Sequence, residues 1–234
     1  MKKKQKVLIT ENGPYLVSGD LPLEKETIIS DEEGNSLNWK KGEKFPQKEN
    51  YVLCRCGQSK NKPYCDRTHI KIGFNGTETA SIEKYIKQAE KIEGPDIILT
   101  DMTKLCSLAR FCHGKKGSIW ELTQESDDLN LKEEAIKQAC NCPSGRLVMW
   151  DKKTGKPIEP KLEKSISLIE DPEKGVSGPI WLKGGVYLEG ADKKKYETRN
   201  RMTLCRCGKS KNKPFCDGTH IRSRFNDGEK SLRK

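Results

Sequence analysis

Leu53-Cys-Arg-Cys-Gly-Gln-Ser-Lys-Asn-Lys-Pro-Tyr-Cys-Asp-Arg-Thr-His69-Ile70 decides how the chain folds, because it recurs nearly unchanged from Leu204 to Ile221. Cys54, Cys56, Cys65 and His69 map onto Cys205, Cys207, Cys216 and His220 at a constant offset of 151 residues. A fixed internal offset marks a duplicated unit. The likeness spreads to Phe74-Asn75 against Phe225-Asn226, and upstream to Gly13-Pro14 against Gly178-Pro179 with a shorter approach in the second copy. Each copy reads as a small unit of a few β-strands leading into the cysteine loop.

The spacing C-x-C-x8-C-x3-H gathers three thiolates and one imidazole within sixteen residues. Four such ligands complete two tetrahedral irons bridged by two sulfides, and histidine in place of thiolate raises the potential of a 2Fe-2S cluster. Zinc also accepts three cysteines and a histidine, but its structural sites usually separate a cysteine pair by two to four residues. Here only Arg55 or Arg206 intervenes. Asp66 and Asp217, three residues before the histidine, are placed to cap the next turn or to orient the imidazole. Pro63 and Pro214 fix a bend ahead of the third cysteine.

At these residues the sequence resembles the CDGSH (NEET) iron-sulfur family, whose signature is C-x-C, a short polar loop ending in proline, then C-D-G-S/T-H. Cys216-Asp-Gly-Thr-His220 fits throughout, whereas Arg67 replaces the glycine in the first copy and is expected to strain the turn if a positive φ is needed there. The resemblance implies that Cys54 and Cys56, like Cys205 and Cys207, hold an inner iron. It implies that Cys65 with His69, and Cys216 with His220, hold an outer iron nearer solvent. It further implies electron transfer or donation of the cluster itself, and a pairing of two such units about a twofold axis. With both units in one chain that pairing is expected internally, in a monomer.

Four cysteines and His113 remain between the repeats. Cys106 to Cys112 is C-x5-C, the first and third cysteines of a ferredoxin run with Ala109 at the middle position. Asn130 and Glu133 suggest a capping box opening a helix over 131–139 that delivers Cys140-Asn-Cys142-Pro-Ser-Gly-Arg-Leu147. This segment resembles the divergent single-cluster 4Fe-4S ferredoxin family, marked by C-x5-C and C-P-S-G-x-L. The resemblance implies Cys106, Cys112 and Cys142 as ligands of a 4Fe-4S or 3Fe-4S cluster, with Cys140, His113 or solvent in the fourth position. The opposing reading is that these thiols only line a small core.

The expected fold class is α+β, with small β-rich CDGSH domains duplicated around a ferredoxin-like insert, over residues 1–78, 79–155 and 156–234. Residues 155–178 read as a linker with one short strand at Ile166-Ser-Leu-Ile169, and Ile82, Tyr85, Ile86, Ala89 and Ile92 have helical spacing. With 33% hydrophobic and 34% charged residues the cores must be thin, and small thin cores need metal or disulfide support. No run of roughly 7 to 15 apolar residues follows the basic opening, so export and disulfides are not expected. No membrane span is expected either, and the compartment expected is the cytoplasm.

The net charge of +11 suits acidic redox or cluster-acceptor partners, although interleaved acidic residues make most of it an ordinary solvated surface. A zinc-dependent nucleic-acid protein is the alternative, but neither cysteine loop carries more than one aromatic, so no nucleic acid is expected. No P-loop, dinucleotide fingerprint or nucleophile triad is present, and the chain reads as a carrier rather than an enzyme.

Overall fold

The first repeat supplies β1 (Lys6–Ile9), β2 (Tyr15–Ser18), β3 (Leu23–Ser30), β4 (Ser36–Lys44) and β5 (Asn50–Leu53), then a single helical turn, α1 (Thr68–Lys71). These elements come from a computed structural model that describes residues 4–229 and 232. Period-two alternation in β1, β2 and β5 turns Val7, Ile9, Tyr15, Val17, Tyr51 and Leu53 to one face, and all six are buried.

The middle segment supplies α2 (Tyr85–Gln88), β6 (Glu90–Glu93), β7 (Ile97–Asp101), the short pair β8 (His113–Gly114) and β9 (Gly117–Ser118), α3 (Ile119–Gln124), α4 (Leu129–Asn141), β10 (Leu147–Asp151) and β11 (Pro157–Ile158). It forms its own sheet in the order β11-β10-β7-β6, and α3 and α4 pack on it through Ile119, Leu122, Ala135 and Ala139.

The second repeat supplies β12 (Ser165–Asp171), β13 (Val176–Lys183), β14 (Tyr187–Glu189), β15 (Arg201–Leu204) and α5 (Thr219–Arg222). The repeats exchange strands. β3 leaves the first repeat to run parallel to β12, and β14 leaves the second to run parallel to β1. The resulting sheets, β14-β1-β2-β5 and β15-β13-β12-β3-β4, share one core that includes Val7, Tyr15, Leu53, Leu168, Ile180 and Leu204. The strands of the two repeats, within residues 6–53 and 165–204, are thus sewn into one body rather than two separate ones. Tyr15 lies opposite Leu53 as Ile180 lies opposite Leu204, which is the register that Gly13-Pro14 against Gly178-Pro179 demands.

Three local expectations are corrected. Residues 155–178 are not a linker: β12 and β13 lie inside the five-stranded sheet and are buried along almost their whole length. Their acidic residues misled because Glu170 and Asp171 are buried as partners of Arg206 and Arg110 instead of facing water. The helical spacing from Ile82 to Ile92 yields only the turn α2, since Tyr85 alone is drawn into the core by its hydroxyl, which donates to Thr100 O at 2.8 Å, and the chain then enters β6. The capping box falls at Ser118 and Glu121, opening α3, while α4 starts at Leu129 under Asp128, which accepts from the Asn130 and Leu131 amides. Among the described residues no helix is long and apolar enough to cross a membrane.

Candidate metal centres

The two cysteine loops are built alike. Cys54 N donates to Pro63 O at 2.8 Å and Cys65 N to Val52 O at 3.0 Å; Cys205 N donates to Pro214 O at 2.8 Å and Cys216 N to Thr203 O at 2.9 Å. The Lys62–Pro63 and Lys213–Pro214 peptides are both cis. Asp66 accepts from the Lys60 and Thr68 amides, and Asp217 from those of Lys211 and Thr219, so each carboxylate closes its loop and caps the helical turn. The hydrogen bond from Thr68 holds the Asp66 carboxyl well below the usual range. No hydrogen bond joins either aspartate to a histidine ring among the described residues, which leaves the capping role of the two read from the sequence.

Arg67 adopts φ 69°, close to the 79° of Gly218, so the turn does need the left-handed region and the arginine accepts it. That conformation costs a non-glycine residue roughly 1–2 kcal/mol. In both loops the amide at this position donates to the third cysteine's sulfur at 3.4 Å.

The donors come in pairs. Cys54 and Cys56 sulfurs are 3.7 Å apart and those of Cys205 and Cys207 3.9 Å, while Nδ1 of His69 and of His220 each lie 3.4 Å from Sγ of Cys65 and Cys216. Two sulfurs about 2.3 Å from one tetrahedral metal sit about 3.8 Å apart, and a sulfur with an imidazole nitrogen about 3.5 Å apart. Each pair therefore fits one metal ion. Among the described residues no group of three His, Cys, Asp or Glu donors closes on one point, as a mononuclear zinc site requires. Two irons with two protein ligands each fit this donor set. The hydrogen bond between paired sulfurs lowers one thiol of each pair, Cys54 and Cys207, and raises its partner.

The loops meet across the pseudo-twofold. Gly57 and Gly208 have φ near 75°, and a Cβ on Gly57 would stand 2.5 Å from Cys207 O, with the reciprocal approach of Gly208 to Cys56 O closer still. Tyr15 of the first repeat donates its hydroxyl to Cys205 O at 2.8 Å, and burial pushes that hydroxyl's pKa upward.

Their surroundings differ. Cys65 and His69 are half-buried, whereas Cys216 and His220 are each 3% exposed, and burial pulls His220 down to about 4. Arg55 and Arg206, between the paired cysteines, are both buried. Arg55 donates to the backbone oxygens of Thr10 and Gly76, and among the described residues it has no ion pair. Arg206 pairs with two carboxylates, Glu170 at 2.9 Å and Asp227. The C-x-C repetition of arginine was the available signal for these residues, and its meaning was missed.

In the middle segment Cys106, Cys112 and Cys142 line a small cavity of about 20 Å³ with Ala109, Ser144 and Arg146. Burial pushes the Cys112 thiol up to about 11. Arg146 crosses the cavity wall, held by Asp101 at 2.6 and 2.7 Å, and sets a cation beside the thiols. It is the variable residue of the C-P-S-G-x-L mark, which the sequence reading passed over. Cys140 does not join them. Residues two apart on a helix point about 200° apart, and at the end of α4 Cys140 turns to the Ile158 carbonyl, 3.8 Å away. His113 also lies outside the cavity lining, tilted against Trp120 with ring centroids 5.5 Å apart.

Residues 12–70 and 177–221 match the family described as iron-binding zinc finger, CDGSH type, and residues 92–152 match the family described as divergent 4Fe-4S mono-cluster. No curated protein and no solved structure matches the chain.

Proposed function

From the premise that two CDGSH segments flank a divergent 4Fe-4S segment in one chain, which makes it an iron-sulfur protein, we propose that it is a carrier of electrons or clusters with two 2Fe-2S centres. Cys54 and Cys56 hold one iron and Cys65 and His69 the other; Cys205 and Cys207, with Cys216 and His220, do the same in the second repeat. The observation that carries this reading is the pairing of donors at 3.4 to 3.9 Å. Bound there, a 2Fe-2S cluster supplies one-electron chemistry.

The chain's own groups do the rest. The amides of Arg67 and Gly218 donate to Cys65 and Cys216 and favour the thiolate. Arg55 and Arg206 bury one cation in each cysteine loop, and the half-buried His69 turns the first centre toward a partner. Cys106, Cys112 and Cys142 would hold a third cluster, of the 3Fe-4S type or 4Fe-4S with a fourth ligand that is not cysteine, once the small cavity between them widens to admit it. Acidic redox or acceptor proteins are the partners that the +11 charge fits. The exchanged strands satisfy the twofold pairing within one chain, so a monomer is expected by light scattering.

Iron and sulfide analysis of anaerobically purified protein tests the reading. About four irons per chain from the CDGSH sites are expected, with an excess that disappears when Cys106, Cys112 and Cys142 are changed together to Ser. A colourless protein containing zinc would overturn it.

A further inference from the structure

The middle segment hydrogen-bonds to the second cysteine loop. Thr79 N and Ala80 N donate to Lys213 O at 2.8 and 2.9 Å, Thr79 Oγ1 donates to Lys211 O at 2.7 Å, and Asn212 Nδ2 donates to Lys104 O at 2.8 Å. The loop after Cys106 then closes over the histidine end of the second site. Leu108 lies 2.5 Å from where a Cβ on Gly218 would stand. Arg110 grips Asp171 with both terminal nitrogens, at 2.5 and 3.0 Å, and Phe111 packs at a tilt against Trp39 with centroids 4.8 Å apart. Leu108 and Arg110 both hold positive φ, 57° and 63°, a strain that persists only where surrounding contacts over-determine it.

The first site has no such cover. Among the described residues no hydrogen bond joins the middle segment to residues 57–70, and Arg67 occupies the position where Gly218 receives Leu108. The glycine of the second motif thus serves the left-handed turn and is also the seat of a lid, since Arg67 shows that the turn itself admits a side chain at a cost.

We propose that the two CDGSH sites divide the work: the second is closed by the Leu108 loop and keeps its cluster, and the first alone surrenders its cluster to a four-thiol acceptor. The proposal rests on the cluster reading given above. In the transfer, the bonds from iron to Cys54, Cys56, Cys65 and His69 break and four bonds from iron to acceptor sulfur form. The four acceptor thiols lose four protons, of which Cys54, Cys56 and Cys65 take three and solvent the fourth; no electron changes hands. Cys216 and His220 cannot be approached by such an acceptor until the lid opens locally.

Excess EDTA added to the full cluster-loaded chain at neutral pH, with loss followed on the 2Fe-2S visible bands, tests this. Two phases are expected, the slower by roughly tenfold or more because it waits on local opening. Cys56→Ser should abolish the fast phase and Cys207→Ser the slow one. Gly218→Arg, which rebuilds the first motif in the second, and Leu108→Ala, which removes the lid from the other side, should each convert the slow phase to a fast one. A single phase in the unaltered chain, or a fast phase lost in Cys207→Ser, overturns the proposal. Absence of iron from both sites would instead overturn the cluster reading itself.

Discussion

The cysteine loops at Cys54 and Cys205 have the same backbone hydrogen bonds, the same caps and the same donor spacings, yet one lies open and the other under cover. The first has a guanidinium that bonds to carbonyls, lies over the Tyr15 and Phe74 rings and has no carboxylate partner among the described residues, and the second has one paired with two carboxylates. Sixteen residues of local sequence are enough to set ligand geometry. What a cluster experiences beyond its ligands is set by segments far away in the chain, and there the duplication has diverged.

The seam between the loops is where the two remain alike, and breaking it should have the largest effect. Gly57→Ala places a methyl 2.5 Å from Cys207 O and forces an L residue to φ 74°. Left-handed strain of roughly 1–2 kcal/mol adds to an overpacking cost of roughly 1–3 kcal/mol. Because the contact is reciprocal, Gly57→Ala and Gly208→Ala should each reduce occupancy of both CDGSH clusters, measured as iron per chain. Loss confined to the substituted repeat would show that the loops do not depend on each other.

Replacing the histidines comes next. Cysteine binds as an anion, so His220→Cys and His69→Cys each add a negative charge beside iron, disfavour the reduced state and lower the potential, on the order of 100 mV. Charge counts for more where water is excluded. The shift in His220→Cys should therefore exceed that in His69→Cys, read by potentiometric titration followed by electron paramagnetic resonance. Equal shifts would mean that the cover over the second site does not alter its dielectric surroundings.

The cluster loops were legible because their ligands lie within one short stretch, and the resemblance they carry brought the α+β class with it. The strand exchange was not legible. β3 finds its parallel partner β12 some 140 positions away, with Leu23 opposite Ile166, and no local pattern specifies such a pair. Glu170 and Asp171 looked solvated because composition records a charge and not its partner. Cys140 sits in ferredoxin-like spacing, but the turn of α4 sends it away from Cys142. Arg67 was rightly noticed as the odd residue of its motif, while a second reason for Gly218 lay in Leu108, a contact across 110 positions that only the folded chain reveals.

The unequal arginines predict a smaller electrical difference. Burial raises the Glu170 carboxyl while Arg206 opposes it, and Asp227 shares the same guanidinium, so the second centre lies nearer to negative charge than the first. Asp227→Asn removes one of those charges and should raise the potential of the second cluster by some tens of millivolts, on the order expected for a partly buried charge several ångströms away. The first cluster should move less. If both move together, the two sites share one electrostatic environment despite their different partners.

The exchanged strands repeat the comparison on a smaller scale. Where β14 joins β1, the paired residues include Val7 opposite Leu188, but where β3 joins the second sheet, Lys183 reaches Glu24 at 3.0 Å and also binds Glu26. Burial would raise the Glu24 carboxyl, yet the hydrogen bond and charge of Lys183 lower it on balance. A carboxyl depressed in the folded state contributes stability above its unfolded pKa of about 4.3, and that contribution disappears as pH falls through the lower folded value. Glu24→Gln should cost on the order of 1 kcal/mol near pH 6, since Lys183 keeps Glu26 and only the charge of one hydrogen-bond partner is lost. The difference between the two chains should then shrink as pH is lowered from about 4.3, when Glu24 itself becomes neutral. Urea unfolding of both chains across this range measures it, and cluster loss at acid pH, common to the two, cancels in the difference. A gap that stays constant down to the lowest pH would mean that the Glu24 charge does not help to hold the exchanged strand.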